Sequence, residues 1–264
     1  MKLTAKNADI HELYERSVQE VSADAKFIRR VYKKRFGRTP LSLREDFCGT
    51  AALCAEWVKK DPERTAIGLD LHGPTIAWGM NRHINPLGEE RASRVKIYEQ
   101  NVLDDVEERV DVCVAFNFSF CVFKERELMV RYYRKAREGL NSEGAFLLDI
   151  HGGPEAQIEV EEETDHGDFV YVWDQQPMDA ISGEAKRHIH FRFKDGTELN
   201  RAFSYDWRVW TLPEMRDMLY EAGFSKVDVF WEGATKNGEG NGVFRKVRRA
   251  ENEDSWIAYI VAWN

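Results

Sequence analysis

The chain is short of several features that would narrow its chemistry at once. It has four cysteines, Cys48, Cys54, Cys113 and Cys121, all in apolar surroundings and none in a Cys-x-x-Cys pair. Neither a structural zinc site nor a disulfide frame is therefore expected, and no His/Asp/Glu spacing names a metal site. No segment approaches the roughly 20 consecutive apolar residues that span a bilayer. Met1-Lys2-Leu3-Thr4-Ala5-Lys6 has no apolar signal core behind it, so a soluble cytoplasmic protein with no membrane partner is expected. Positive charge is in deficit. The net charge of −8 weighs against nucleic acid as a partner and leaves a local basic patch as an open question. Internal repeats and low-complexity linkers are missing as well, and the sequence leaves the oligomeric state open.

What is present is an ordered globular composition, with 43% hydrophobic and 12% aromatic residues over 264 positions, enough for one large α/β domain or a core with an insertion. Residues 8 to 20 and 23 to 36 have helical spacing, with Gly37 placed to stop the second helix. From residue 41 short apolar strands alternate with helices: strands at 41–45, 65–70, 94–99, 111–117 and 144–150, and helices at 51–59, 74–84 and 124–138. That alternation implies a doubly wound α/β fold, a parallel sheet with helices on both faces. After His151-Gly152-Gly153-Pro154 the pattern changes to period two. Phe169, Tyr171 and Trp173 share a face, as do Ile189, Phe191 and Phe193, and then Phe203, Tyr205 and Trp207. An antiparallel β insertion is expected, with a turn at Lys194-Asp195-Gly196-Thr197. The alternating polar residues of the insertion, His188, His190 and Arg192 and then Ser204, Asp206 and Arg208, read as a solvated outer face. A capping box, Thr211 to Glu214, opens a helix ending near Gly223. Two closing strands, 226–231 and 256–263, follow, joined by a loop containing Asn237-Gly238-Glu239-Gly240-Asn241-Gly242.

The stretch Leu43-Arg44-Glu45-Asp46-Phe47-Cys48-Gly49-Thr50-Ala51-Ala52-Leu53 joins a strand to a small-residue helix. It resembles the acidic-x-Gly-x-Gly-x-Gly loop of class I S-adenosylmethionine-dependent methyltransferases. Glu45 stands in the acidic slot and Gly49 in the central glycine slot, while Phe47 and Ala51 depart from the pattern where two glycines are usual. The closing hairpin strengthens the resemblance, and Gly-x-Gly-x-x-Gly, which a nicotinamide-dependent oxidoreductase would carry, is absent. The resemblance covers roughly residues 41–150 and 211–263. It implies a Rossmann-like seven-stranded sheet ending in an antiparallel β-hairpin, divided into an N-terminal helical cap (1–38), a cofactor-binding core (39–153 and 211–264) and a β insertion serving as substrate lid (154–210).

The resemblance also implies which residues meet S-adenosylmethionine. Glu45 would face the ammonium of its amino acid half, with Arg44, Cys48, Gly49 and Thr50 in the same loop. Asp70, with Leu71 after it, ends the second strand where an acid can accept from both ribose hydroxyls, or alternatively caps the next helix. Asn101 and Val102 stand at the adenine position, although asparagine also ends strands. Asn117 and Phe118 follow the fourth strand, where the family places residues beside the transferable methyl. Tyr14 either closes the site or packs helix on helix. The implied reaction is in-line attack on a sulfonium methyl by a small-molecule N or O nucleophile, releasing S-adenosylhomocysteine and favoured by alignment and an apolar lining. His151 is the best-placed base or else a turn residue, and no catalytic residue is assigned. A non-catalytic cofactor-binding scaffold would share every one of these features.

Overall fold

The computed structural model describes residues 2–235 and 240–264. Two helices come first, α1 (Ile10–Val18) and α2 (Val21–Phe36). The α1 helix is capped by the Asp9 carboxylate, which accepts from His11 N and Glu12 N, and α2 ends on Gly37 with φ 74°, a left-handed conformation that suits glycine. The alternating part then runs β1 (Ser42–Asp46), α3 (Ala52–Lys59), β2 (Thr65–Asp70), α4 (Gly73–Gly79), α5 (Glu89–Ala92), β3 (Val95–Glu99), β4 (Val110–Ala115), α6 (Arg126–Glu138) and β5 (Leu140–Gly152). The insertion contributes β6 (Val160–Asp165), β7 (Phe169–Gln175), β8 (Glu184–Phe193) and β9 (Glu198–Arg208). The chain closes with α7 (Leu212–Glu221), β10 (Lys226–Ala234), β11 (Gly240–Val247) and β12 (Trp256–Trp263). Among the described residues no helix is long and apolar enough to cross a membrane.

The main sheet has the order β3-β2-β1-β4-β5-β12-β10-β11. The first five strands are parallel, and β12, β10 and β11 join antiparallel. Strand order reverses at β1, so the crevice beyond the carboxyl ends of β1 and β4 is where a doubly wound sheet binds its ligand. One face packs on α6 and α7 through Phe146, Leu148, Tyr133 and Met215. The other packs on α2 and α3 through Ile28, Tyr32, Trp57 and Val114. The expected doubly wound α/β architecture is present.

Three expectations need correction. The main sheet has eight strands among the described residues, not seven, because the stretch read as a loop between the closing strands contains β11; Gly240–Val247 pairs with β10 from Ala234↔Gly240 to Val229↔Val247. Positions 237–239 of the glycine-rich segment lie outside the described residues. The insertion has a fourth strand, β6, whose glutamates gave no alternating apolar signal; Arg192 on β8 reaches across β7 to pair with Glu161 and Glu163 of β6. Finally, His188 and His190 are not on a solvated face, each being 7% exposed. Arg201 takes φ 49° at a register irregularity between Ile189 and Phe191, and its N–H donates to His190 Nδ1 at 3.0 Å. The aromatic face of the insertion is as expected, and Leu13 of α1 packs directly into it with Phe169, Phe191 and Phe193. The α1 helix thus belongs to the insertion's core, whereas α2 belongs to the main sheet.

Candidate functional site

The turn after β1 has the backbone of a glycine loop without all of its glycines. Phe47, Gly49 and Ala51 have φ of 58°, 51° and 56°, so both departures from the family pattern keep the left-handed conformation that glycine adopts freely. A Cβ on Gly49 would find its nearest neighbour, Thr75 Cγ2, at an ordinary van der Waals distance of 3.9 Å, so the backbone is uncrowded there. By contrast, a Cβ on Gly79 would lie 2.1 Å from the Thr50 carbonyl oxygen, which is why α4 comes so close to the loop. Phe47 offsets its strain by packing against Phe123 and Tyr132, with ring centroids 5.9 and 5.8 Å away.

Asp70, at the end of β2, accepts from Gly49 N through Oδ2 and from His72 N through Oδ1, both at 2.8 Å. One carboxylate therefore fixes both the glycine loop and the entry to α4. Glu45 accepts from Cys54 N at 3.2 Å and Cys54 Sγ at 3.1 Å, both through Oε2, serving an orphan N–H in the first turn of α3. Its Oε1 has no donor among the described residues. Burial pushes the Glu45 carboxyl up to about 8, so a cation beside it would be strongly favoured. An uncrowded glycine position, a carboxylate lacking a cation and a second carboxylate at the adjacent strand end fit S-adenosylmethionine, whose amino acid half carries an ammonium and whose ribose carries two hydroxyls. Leu71, 66% exposed, extends from the same rim.

The remaining expected residues divide. Tyr14, Asn117 and Phe118 line a cavity of about 680 Å³ beside the loop. Thr50 is buried and donates to Glu15 Oε1 at 2.6 Å, tying α1 to the loop, and His83 Nε2 lies 2.7 Å from the same oxygen. Cys48 is buried with its thiol over Gly68, and its N–H donates to Leu69 O. Asn101 Oδ1 accepts from Leu103 N at 2.9 Å; Val102, 5% exposed, joins the core under α6. The Arg44 side chain is withdrawn from the crevice. Strand alternation turns it toward α6, where Nε lies 2.9 Å from Asp46 Oδ1, and Tyr132 donates to Asp46 Oδ2 at 3.0 Å.

The cavity holds residues that the sequence did not single out. It is formed by α1, α2, the ends of β4, β5, β10 and β12, β11, and the insertion. Asp149, at the end of β5, accepts from Asn117 N at 2.8 Å and Phe118 N at 3.0 Å, which shapes the turn where both residues have φ 56°. Burial pushes the Asp149 carboxyl up to about 7, against those two donors. Asp24 in α2 accepts the Tyr259 hydroxyl at 2.6 Å. His151 lines the cavity with Nε2 3.0 Å from Ser255 Oγ. An acid inside the apolar run Phe146–Ile150 was a visible signal for Asp149; Asp24 and Tyr259 come from opposite ends of the chain and had none. A basic groove also exists, lined by Arg216, Arg248 and Arg249 and bordered by Lys226 and Lys246 around Asp228, so a local basic patch is present.

No protein-family model matches the chain, and no curated protein matches it at the sequence level. Solved structures match over nearly its whole length. An S-adenosylmethionine-dependent methyltransferase from Clostridium acetobutylicum superposes with a TM-score of 0.70 at 12% identity, covering 96% of each chain. SAM-bound CalS10, an amino pentose methyltransferase from Micromonospora echinaspora, gives a TM-score of 0.68 at 14% identity over 97% of each chain. The sugar N-methyltransferase KedS8 from a Streptoalloteichus species gives 0.63 at 15% identity, over 100% of this chain and 94% of the other. The chain therefore has the fold of the class I S-adenosylmethionine-dependent methyltransferases.

Proposed function

We propose that the protein is an S-adenosylmethionine-dependent methyltransferase acting on a small-molecule N or O nucleophile. The observation that carries this reading is the β1 turn itself. Three left-handed positions, a cation-seeking Glu45 and an Asp70 carboxylate bound to Gly49 N converge on the switch point of the sheet, next to an aromatic cavity. The solved structures of like fold, which include sugar and amino pentose methyltransferases, support it.

When bound, S-adenosylmethionine supplies a methyl group on a positively charged sulfur. The protein's part is to hold and to enclose. Glu45 offers a carboxylate to the amino acid ammonium, Asp70 an acceptor to the ribose, and Gly49 the backbone clearance for close approach. Asn117 and Phe118, fixed by Asp149, present a shaped turn to the space next to them. The aromatic walls, with Tyr14 and Trp207 on the insertion side, exclude water from the acceptor and lower the cost of aligning it. The experiment is turnover with a panel of small amines and alcohols, read as S-adenosylhomocysteine formed and acceptor mass gained. Product with at least one acceptor is expected. Tight S-adenosylhomocysteine binding with no turnover on any acceptor would instead mark a scaffold.

A further inference from the structure

The cavity carries charge of one sign. Carboxylates enter it from Glu20, Asp24, Asp149, Glu162 and Glu232, and no lysine or arginine lines it among the described residues. Much of the remaining wall is aromatic. Carboxylates and aromatic faces together attract a cation, whereas an alcohol gains nothing from surplus negative charge.

Two of these carboxylates are held differently. Asp149 commits both oxygens to backbone N–H groups. Asp24 commits only Oδ1, to the Tyr259 hydroxyl, and its Oδ2 has no donor among the described residues. Tyr259 is itself fixed by stacking on Phe27, ring centroids 4.3 Å apart. Burial and the adjacent Asp24 push its hydroxyl up, so it remains a donor.

We infer that the acceptor is a small-molecule amine that enters as its ammonium, and that Asp24 Oδ2 takes the ammonium proton while Tyr259 positions the carboxylate. This deepens the methyl-transfer reading and rests on it. An ammonium has no lone pair with which to attack. In the step assigned to Asp24, one N–H bond breaks and an Oδ2–H bond forms. The bonding pair stays on nitrogen as its lone pair, and the paired charges become a neutral amine and a neutral acid. The groups facing Asp24 are Glu20 on its own helix, Glu45 on β1, Asp149 on β5 and Tyr259 on β12, all acidic. Burial raises the Asp24 carboxyl to about 6, with the Tyr259 donor opposing, which makes it a better proton acceptor than an exposed aspartate while leaving it ionised at neutral pH. His151 is a weaker candidate, since burial lowers its proton affinity and its Nε2 meets Ser255 Oγ.

The test is binding of benzylamine and of its neutral isostere benzyl alcohol, followed by quenching of the cavity tryptophans across pH 5 to 8. The wild-type protein should bind the amine at least tenfold more tightly than the alcohol at pH 7.5, with a preference that grows as pH rises through about 6. Asp24→Asn, which keeps an acceptor for Tyr259, should lose that preference and its pH dependence. Tyr259→Phe should move the pH midpoint upward, a shift that a purely packing role would not produce, and His151→Gln should leave the preference in place. Equal binding of amine and alcohol by the wild type, or an undiminished preference in Asp24→Asn, overturns the inference. S-adenosylhomocysteine affinity, measured on the same samples, reports separately on the methyltransferase reading. Its loss in the wild type would sink that reading whatever the amines do.

Discussion

Ala51 keeps a backbone conformation that costs an L-residue roughly 1–2 kcal/mol, and it does so at the mouth of the crevice with φ 56°. Ala51→Gly should relieve that strain and raise stability by about 1 kcal/mol in chemical denaturation, without loss of cofactor affinity. Phe47→Gly should not stabilise, because the same relief comes with the loss of a ring packed on Phe123 and Tyr132. Glu45 has its effect through a proton. Its carboxyl is raised from 4.5 to about 8 in the folded chain, so between those values the folded state holds a proton that the unfolded state has released. Stability from this group is present below pH 4.5 and is lost as pH rises toward 8. Glu45→Gln should flatten that decline, by an amount on the order of 1–3 kcal/mol, in unfolding curves taken from pH 5 to 8. Cofactor bound beside Glu45 should reverse the sign of its contribution, because an ammonium favours the ionised form.

Among the elements, β1 and α6 are joined by a buried hydrogen bond, Tyr132 to Asp46, beside an Arg44–Asp46 ion pair within β1, rather than by apolar contact alone. Arg44 and Asp46 are both buried, Tyr132 donates to Asp46, and Cys113 Sγ lies 3.4 Å from the same oxygen. Asp46→Ala strands the guanidinium and should destabilise by about 3–5 kcal/mol in denaturant titration. Through Glu15 the α1 helix is held to the glycine loop by Thr50 and to the segment after α4 by His83, and to α4 itself by Trp78 Nε1 donating to Asp9 Oδ2 at 2.7 Å. Thr50→Val removes one of these links. Amide exchange in residues 10–18 should quicken by about fivefold, the equivalent of roughly 1 kcal/mol, while exchange in β4 and β5 stays as it was. Elements with a clean period were legible in the sequence: β2 and β12 fall where apolar patterning put them, and the Thr211–Glu214 capping box starts α7. The β6 and β11 strands were not. One is mostly acidic and is held by Arg192, the other opens on glycines at a sheet edge, and neither buries an apolar stripe that patterning could detect.

Across the whole molecule, the parallel sheet sets the turns after β1, β2 and β4 at one edge, and the insertion with α1, α2 and the closing strands encloses the cavity beside the β4 turn. The loop half of this site was readable because Glu45, Gly49 and Asp70 lie close in sequence and follow strands of clear period. The cavity was legible only in part: Tyr14, Asn117, Phe118 and His151 were named from the sequence, whereas Asp24, Asp149 and Tyr259 join them only through the crossovers and the closing hairpin. Arg44 adjoins the glycine loop in sequence, yet strand alternation turns its side chain to the other face of the sheet, against Asp46. The most direct measurement is calorimetric titration of S-adenosylhomocysteine, with NADP as comparator, into the wild type and Asp70→Ala. The expected result is a saturable S-adenosylhomocysteine isotherm, no NADP binding, and a loss of about 2–4 kcal/mol in the variant as charge-assisted hydrogen bonds are removed. NADP binding without S-adenosylhomocysteine binding, or an affinity unchanged by Asp70→Ala, would contradict it.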